Sequence, residues 1–433
     1  MECITVETAS RVDAKFSSDF LFGTATAAHQ IEGGNTRNDW ARFEEDPGHI
    51  KRGEKSGLAS DHWNRVAGDI RLMRELGVNA YRFSIEWSRL EPIQGTWDEA
   101  AWGHYEDELR QLRAAGVTPM VTLLHFTLPI WLADRGGVTA PDFPERFGCF
   151  AAQAARCLGS MVALWCTLNE PNVQMNAGYL EGMWPPGKQS PGEAVKAFVG
   201  LMRAHAAATR ALRTGAPGSK IGIAVNLVVL DPATRWSPFD WLASYFTGHA
   251  YNWSVYDAIQ NGRVRLYVPG LLRVDEPWPA LKGSVDFFGI NYYTRYLIRF
   301  SLRSRGMIER RLGPGDRSDM NWEIYPEGLY RMLRKVWSRY KLPIYITENG
   351  IADAVGHQRA AFLRSHLRAV TQAISDGIPI RGYFYWSLLD NFEWAEGFAP
   401  RFGLWHVNYE TFERTPARGS DVFAAWAKII GNR

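Results

Sequence analysis

Eight short apolar runs, separated by stretches of helical period, are the feature of this 433-residue chain that most restricts its fold. The runs are FLFGTATA (20–27), VNAYRFSI (78–85), TPMVTLLHF (118–126), ALWCTLNE (163–170), KIGIAVNL (220–227), DFFGINYYT (286–294), PIYITENG (343–350) and IRGYFYWSL (380–388). They are apolar or mixed rather than cleanly alternating, which suits parallel strands covered on both faces. Between them, apolar residues recur at helical spacing. Residues 61–76 run from Asp61 as N-cap through Trp63, Val66, Ile70 and Met73 to a stop at Gly77. Asp98 opens the next helix, with Trp102, Tyr105, Leu109 and Leu112 on one face and Gly116 at its end. Similar patterns cover 145–158, 193–213, 326–340 and 358–376. Strand followed by helix, repeated along the chain, predicts an α/β fold closed into a (β/α)8 TIM barrel. An open doubly wound sheet is the main rival, yet no Gly-rich phosphate fingerprint follows the first run. The length could hold two or three domains, but such barrels often exceed ~250 residues as one unit. No low-complexity linker interrupts the alternation, so residues 1–433 are expected to form one domain.

Hydrophobic residues at 46% and charged residues at 22% supply ample core and an ordinary surface. The formal net charge is only +3, with cations scattered among acids, which argues for neither nucleic acid nor an anionic membrane as partner. The 18 Trp, 17 Tyr and 22 Phe are core material first, although flat apolar rings also stack on the C–H faces of sugars. Cys3, Cys149, Cys157 and Cys166 have neither CxxC pairs nor metal-finger spacing. Three of them fall in or beside apolar segments, where a buried free thiol is expected. The first residues carry acids at positions 2, 7 and 13 and no sustained apolar stretch, unlike a secretory signal, and no run of ~18 apolar residues offers a membrane span. A cytoplasmic location is the expectation.

In a barrel of this kind, functional side chains gather where the strands end. The second run ends near Arg82 and Glu86, the third at His125, the fourth at Asn169 and Glu170, and the sixth at Asn291, Tyr292 and Tyr293. The seventh ends at Glu348 and Asn349, and the eighth at Trp386, followed by Asp390, Glu393 and Trp394. Two carboxylates from opposite sides of one rim suit cleavage of an acetal, which needs one protonated carboxyl at the leaving oxygen and one ionised carboxylate facing the anomeric carbon. Each residue alone has a plainer reading. His125 could be a satisfied structural histidine, Arg82 an ion pair in the barrel mouth, and Trp386 and Trp394 packing; the functional reading rests on their shared rim. No metal-ligand cluster, phosphate loop or Cys–His nucleophile appears, so neither metal nor cofactor is expected.

The segments FLFGTATAAHQIEG (20–33), NAYRFSIEWSRL (79–90), TLNEPN (167–172), INYYTR (290–295), ITENG (346–350) and YWSLLDNFEWAEGF (385–398) resemble glycoside hydrolase family 1, the β-glucosidase family. The likeness runs in order from about Phe20 to Tyr409. It implies a retaining β-glycosidase acting on small β-glucosides, or on β-galactosides or β-fucosides, with some transglycosylation. Glu170 would be the acid/base and Glu348 the nucleophile. Asn169 would bind the sugar 2-hydroxyl, while Arg82 and Tyr293 would hold the nucleophile, Arg82 also favouring its ionised form. Gln30, His125, Glu393 and Trp394 would bind the other hydroxyls, Trp386 and Phe402 would floor and line the glycone site, and Trp322 would be an aglycone-side platform.

The resemblance also bounds the alternatives. Thioglucosidases of the family carry Gln at the acid position, where this chain has Glu170. The 6-phospho-β-glycosidases tend to replace the acid of the NFEW motif and add Lys and Tyr; here Glu393 stands, AEGFAPRF (395–402) lacks that pair, and an ionised Glu393 should repel a 6-phosphate. A catalytically weak, carbohydrate-binding barrel is the remaining alternative, although both acids are retained. Two departures stand out: Phe126 follows His125 where the family usually has Trp, and the 231–284 stretch is short, which implies a more open aglycone side.

Overall fold

The computed structural model describes residues 16–431; Cys3 and the acidic first residues lie outside them. Eight parallel strands close on themselves: β1 (Leu21–Ala25), β2 (Ala80–Ser84), β3 (Thr118–Leu124), β4 (Leu164–Asn169), β5 (Lys220–Pro232), β6 (Phe287–Phe300), β7 (Ile344–Asn349) and β8 (Ile380–Trp386). Each pairs with its sequence neighbour, and closure comes from β8 on β1, with Leu21 opposite Gly382 and Ala25 opposite Trp386. The α/β TIM barrel is therefore the fold, with every expected strand present.

Strands β2, β4 and β7 are buried along their whole length, which explains why their sequences do not alternate. One apolar cluster lies between barrel and helices, where Tyr81, Val121, Trp165 and Ile346 meet Met73, Leu109, Phe150 and Val336. A second runs through the barrel interior from Met120, Leu164 and Phe287 to Phe126, Trp386 and Trp394 at the mouth. Close approach accounts for one motif glycine. A Cβ on Gly350, directly after β7, would come 1.8 Å from the Trp386 carbonyl oxygen, so only glycine lets β7 and β8 turn outward together.

Helix starts follow local chemistry. Asp98 caps Glu99–Ala114 by accepting from Ala101 N, Ser190 caps Pro191–Gly215, and Pro326 opens Pro326–Tyr340. Asp61 departs from expectation. Its carboxylate accepts from the side chains of Asn64 and Arg65 instead of capping, a short 3-10 turn (His62–Asn64) follows, and the α-helix begins only at Val66. Cys149 is a second correction: it is exposed, whereas Cys157 is half-buried and Cys166 fully buried, all three as free thiols.

Two strands are longer than their apolar runs. β5 continues past residue 227 to Pro232 and β6 past 294 to Phe300, and the end of β6 recruits an antiparallel strand, Ile308–Leu312. The short 231–284 stretch holds a helix (Pro238–Gly248), a second (Ser254–Asn261) and a hairpin of Arg263–Val268 with Leu272–Pro277. Among the described residues, no helix is long and apolar enough to cross a membrane.

Candidate active site

The C-terminal rim of the barrel encloses a cavity of about 570 Å³, with Glu170 and Glu348 both in its wall. β4 stops at Asn169, and Glu170 then takes a left-handed conformation at φ 44° before Pro171 starts a short helix. A residue before proline rarely adopts that turn, and here it swings the carboxyl over the rim. Phe126 and Trp394, also in the wall, have positive φ as well (73° and 48°), so three loop positions hold strained backbones around one cavity.

The two carboxyls have different surroundings. Glu348 Oε1 accepts from Arg82 Nη1 at 2.5 Å, and its Oε2 accepts from the Tyr293 hydroxyl at 2.6 Å. Burial raises its pKa above the ordinary value, while Arg82 and Tyr293 pull it back. Glu170 contacts only neutral groups: its Oε1 accepts from Asn291 Nδ2 at 2.7 Å and from Asn226 Nδ2 at 3.0 Å. Burial, then the charge of Glu348, push its pKa up to about 8. Glu348 is therefore the member of the pair that ionises first, with Arg82 as its counter-ion. Because Oε1 of Glu170 is occupied by two N–H donors, a proton held there sits on Oε2.

Asn169 joins these groups. Its Oδ1 accepts from Arg82 Nη2 at 2.7 Å and Asn291 Nδ2 at 3.1 Å, and its Nδ2 donates to His125 Nε2 at 3.0 Å. Burial, followed by the Arg82 charge, holds the His125 pKa well below its usual value, so the ring is neutral. With Nε2 accepting, the ring proton is on Nδ1, which is buried and has no protein partner. The imidazole stacks on Trp386 and Trp394, with centroids 5.8 and 6.0 Å away.

Glu393 differs from the sequence expectation of an ionised group. Burial and the charge of Glu348 push its pKa up to about 8, so at neutral pH it carries a proton and can donate as well as accept. Gln30 is completely buried and lies behind the wall, where its Nε2 donates to Asn391 Oδ1 at 2.9 Å, the Phe392 carbonyl at 3.0 Å and Glu393 Oε2 at 3.2 Å. Its Oε1 has no protein partner. Arg82, also fully buried, stands beneath the wall and is further braced by Thr122 Oγ1 at 3.2 Å. The other predicted residues line the cavity itself: His125, Asn169, Tyr293, Trp322, Trp386, Glu393, Trp394 and Phe402. Trp322 packs between Tyr293 and Phe402, at 5.3 and 6.2 Å.

Sequence reasoning gave no role to Asn226, Tyr251 or Asn291. Asn226 is the penultimate residue of the fifth apolar run, within reach of the strand-end rule. Asn291 stands among the residues ending the sixth run, where its residue type alone assigns it no role. Tyr251, whose hydroxyl donates to Asn226 Oδ1 at 3.2 Å, sits in a helical turn with no signal in the sequence. Among the described residues, no group of three or more His, Cys, Asp or Glu is placed to hold a metal.

A parallel barrel with two unlike carboxyls in the wall of one cavity at its C-terminal rim is the arrangement of a barrel glycoside hydrolase. The sequence profile of glycosyl hydrolase family 1 matches residues 12–431, and the chain belongs to that family. It is similar to β-glucosidase A of Thermotoga maritima, 36% identical over 428 residues, covering 92% of this chain and 95% of that one. It is also similar to a β-galactosidase of Pyrococcus woesei, 32% identical over 501 residues, covering 96% and 97%. Among solved structures, a Thermotoga maritima β-glucosidase in complex with glucoimidazole superimposes with a TM-score of 0.91 at 34% identity, over 96% of this chain and 99% of that one.

Proposed function

We propose that residues 1–433 form one catalytic domain, a retaining β-glycosidase of the β-glucosidase type that hydrolyses terminal non-reducing β-D-glycosides. The observation that carries this reading is the asymmetry of the two carboxyls: Glu348 paired with Arg82, and Glu170 held by amides with its pKa pushed up to about 8. Glu348 attacks the anomeric carbon while Glu170 gives its proton to the leaving oxygen, which yields a covalent glycosyl-enzyme. Esterification removes the Glu348 charge, one of the two causes that keep Glu170 protonated. Glu170 then accepts a proton from the incoming water, or from an alcohol in transglycosylation.

Asn169 bonds the 2-hydroxyl, a contact that strengthens as the oxocarbenium-like transition state forms; its fixing by Arg82 and His125 supports this role. Trp386 supplies an apolar floor, and Glu393, His125 and Trp394 meet the remaining hydroxyls. Gln30 acts mainly by holding Glu393. A glucose-shaped glycone is favoured by the likeness to β-glucosidase A and to the glucoimidazole complex.

The test is a panel of aryl β-D-glucosides, galactosides, fucosides and 6-phosphoglucosides compared by kcat/KM, with proton NMR of the first-formed sugar. The expected result is glucoside turnover with β-configured product. An α-configured first product, or preference for the 6-phosphate, would overturn the reading.

A further inference from the structure

Two neighbouring residues stand behind two neighbouring residues of the cavity wall. Gln30 bonds Glu393, and His29, one residue earlier, lies against Trp394, one residue later, with ring centroids 5.9 Å apart and planes 15° apart. The reaction above gives His29 no role. His125 is equally close to parallel with the same indole, at 6.0 Å and 16°. His125 lines the cavity, whereas His29 is buried behind the wall.

Both nitrogens of His29 are held. Nε2 lies 2.8 Å from Glu44 Oε1, and Nδ1 lies 3.0 Å from Asn38 Nδ2. Asn38 caps the helix Asp39–Phe43, its Oδ1 accepting from Ala41 N at 2.8 Å, so its Nδ2 donates to His29 Nδ1. The imidazole proton is therefore on Nε2 and is donated to Glu44. Glu44 is fixed in turn, because its Oε2 accepts from Ser56 N at 2.7 Å and Ser56 Oγ at 2.9 Å.

Good hydrogen bonds at ring nitrogens lie near the plane of the ring, so bonds at both nitrogens set that plane and stop the imidazole turning. A phenyl ring could fill the same space with no buried carboxylate to compensate. What His29 adds over packing is a fixed orientation, and the plane it fixes is within 15° of the indole. Trp394 needs such support. Its φ of 48° is unfavourable for so large a side chain and persists only where the surroundings hold it. Trp40, Phe126 and Trp184 also touch it, but at 47°, 75° and 38°, so they bound the ring without matching its plane.

We propose that His29 is a positioning residue of the glycone site: held by Glu44 and Asn38, it sets the plane of the Trp394 indole and so the contact of that ring with the sugar. The inference rests on the glycosidase reading above, in which Trp394 meets a glycone hydroxyl, and its test separates the two. His29→Gln puts an amide in place of the two ring nitrogens, keeping a donor for Glu44 and an acceptor for Asn38 while removing the ring. His29→Ala removes both. Each should lower kcat/KM by about tenfold. The loss should be of equal size for 2,4-dinitrophenyl and methyl β-D-glucoside, because the damage is at the sugar and leaves proton transfer from Glu170 untouched. In a Trp394→Ala background, His29→Gln should cost less than about twofold more, since nothing is left to position. A crystal structure of His29→Gln should show the indole turned out of its wild-type plane. Wild-type kcat/KM in His29→Gln, full additivity in the double variant, a loss confined to the methyl glucoside or an unmoved indole would each overturn the proposal. If the wild-type enzyme cleaves neither glucoside, the glycosidase reading falls instead, and the indole in the His29→Gln crystal still decides whether His29 positions it.

Discussion

Arg82 serves Glu348 and Asn169 with one guanidinium: Nη1 reaches Glu348 Oε1 at 2.5 Å and Nη2 reaches Asn169 Oδ1 at 2.7 Å. The fork therefore fixes the distance between the Glu348 carboxylate and the Asn169 amide, which a lysine with its single point charge cannot do. Arg82→Lys should lower kcat/KM by about 10²-fold, and Arg82→Met by about 10³-fold, in steady-state assays with an aryl glycoside. Arg82→Met also leaves Glu348 buried without its counter-ion. A buried carboxyl of raised pKa keeps a proton that the unfolded chain has released, so the stability of this variant should fall as pH rises from the ordinary carboxyl range. Thermal unfolding across pH checks this against wild type, in which Glu170 and Glu393 already contribute a slope of the same sign, and adding Glu348→Gln should remove the extra slope and recover stability.

On the proposed roles, Glu170 should set the alkaline side of the pH profile. It must be protonated to assist the leaving group, so kcat/KM should fall as pH rises through about 8. Glu393 also titrates near about 8, and Glu393→Gln distinguishes them, because the limb should remain in that variant. In Glu348→Gln one of the two causes of the upward shift is gone. Carbon-13 NMR of labelled glutamate should then show Glu170 titrating at lower pH than in wild type; an unchanged or higher value would contradict the electrostatic account.

The amides of Asn226 and Asn291 donate to Glu170 Oε1, and both lower its pKa. Removing either should move the alkaline limb upward and free the carboxyl to turn. Asn226→Ala should cost about tenfold in kcat/KM and Asn291→Ala about 10²-fold, since Asn291 also bonds Asn169. The losses should be greater for alkyl leaving groups than for 2,4-dinitrophenol, which needs little proton assistance. Loss of equal size for both leaving groups would mean that these amides act on binding and not on proton transfer.

Much of this geometry was legible because a barrel converts sequence position into place. Once eight runs are seen, the residues ending them must share a rim, so Glu170, Glu348, Asn169 and Tyr293 could be grouped without a structure. Contacts that depend on depth were not legible. Gln30 and Glu393 belong to the same corner, but nothing in their spacing says that one stands behind the other, or that burial keeps Glu393 protonated. Asp61 has the residue type of a cap, and only the local competition from Arg65 and Asn64 diverts it. The extension of β5 starts with the apolar Val228, Val229 and Leu230 and was legible, whereas that of β6 mixes Arg295 and Arg299 with apolar residues and leaves a weaker pattern. The hairpin strand Arg263–Val268 does alternate exposed and buried residues, yet a reading built around parallel strands gives such a segment no place.

The roles of the two carboxyls separate in rescue experiments. Glu348→Gly removes the nucleophile, so hydrolysis should collapse for every leaving group, by ~10⁴-fold or more. The space left beside Arg82 and Tyr293 admits azide or formate, which attacks the anomeric carbon from the Glu348 side and gives an α-configured adduct while Glu170 still protonates the leaving group. Glu170→Ala should behave otherwise. With 2,4-dinitrophenyl β-D-glucoside, glycosylation of Glu348 persists, but the ester accumulates because no base activates water. A burst of dinitrophenol followed by slow turnover should be seen. Azide needs no base, so it should speed release by attacking the ester from the vacated Glu170 side, giving a β-configured adduct. Proton NMR of the two glycosyl azides decides the matter. An α adduct from the 348 variant and a β adduct from the 170 variant fit the assignment made from Arg82 and the amides. The reverse pairing would exchange the roles of Glu170 and Glu348, and rescue of neither variant would refute the double-displacement route.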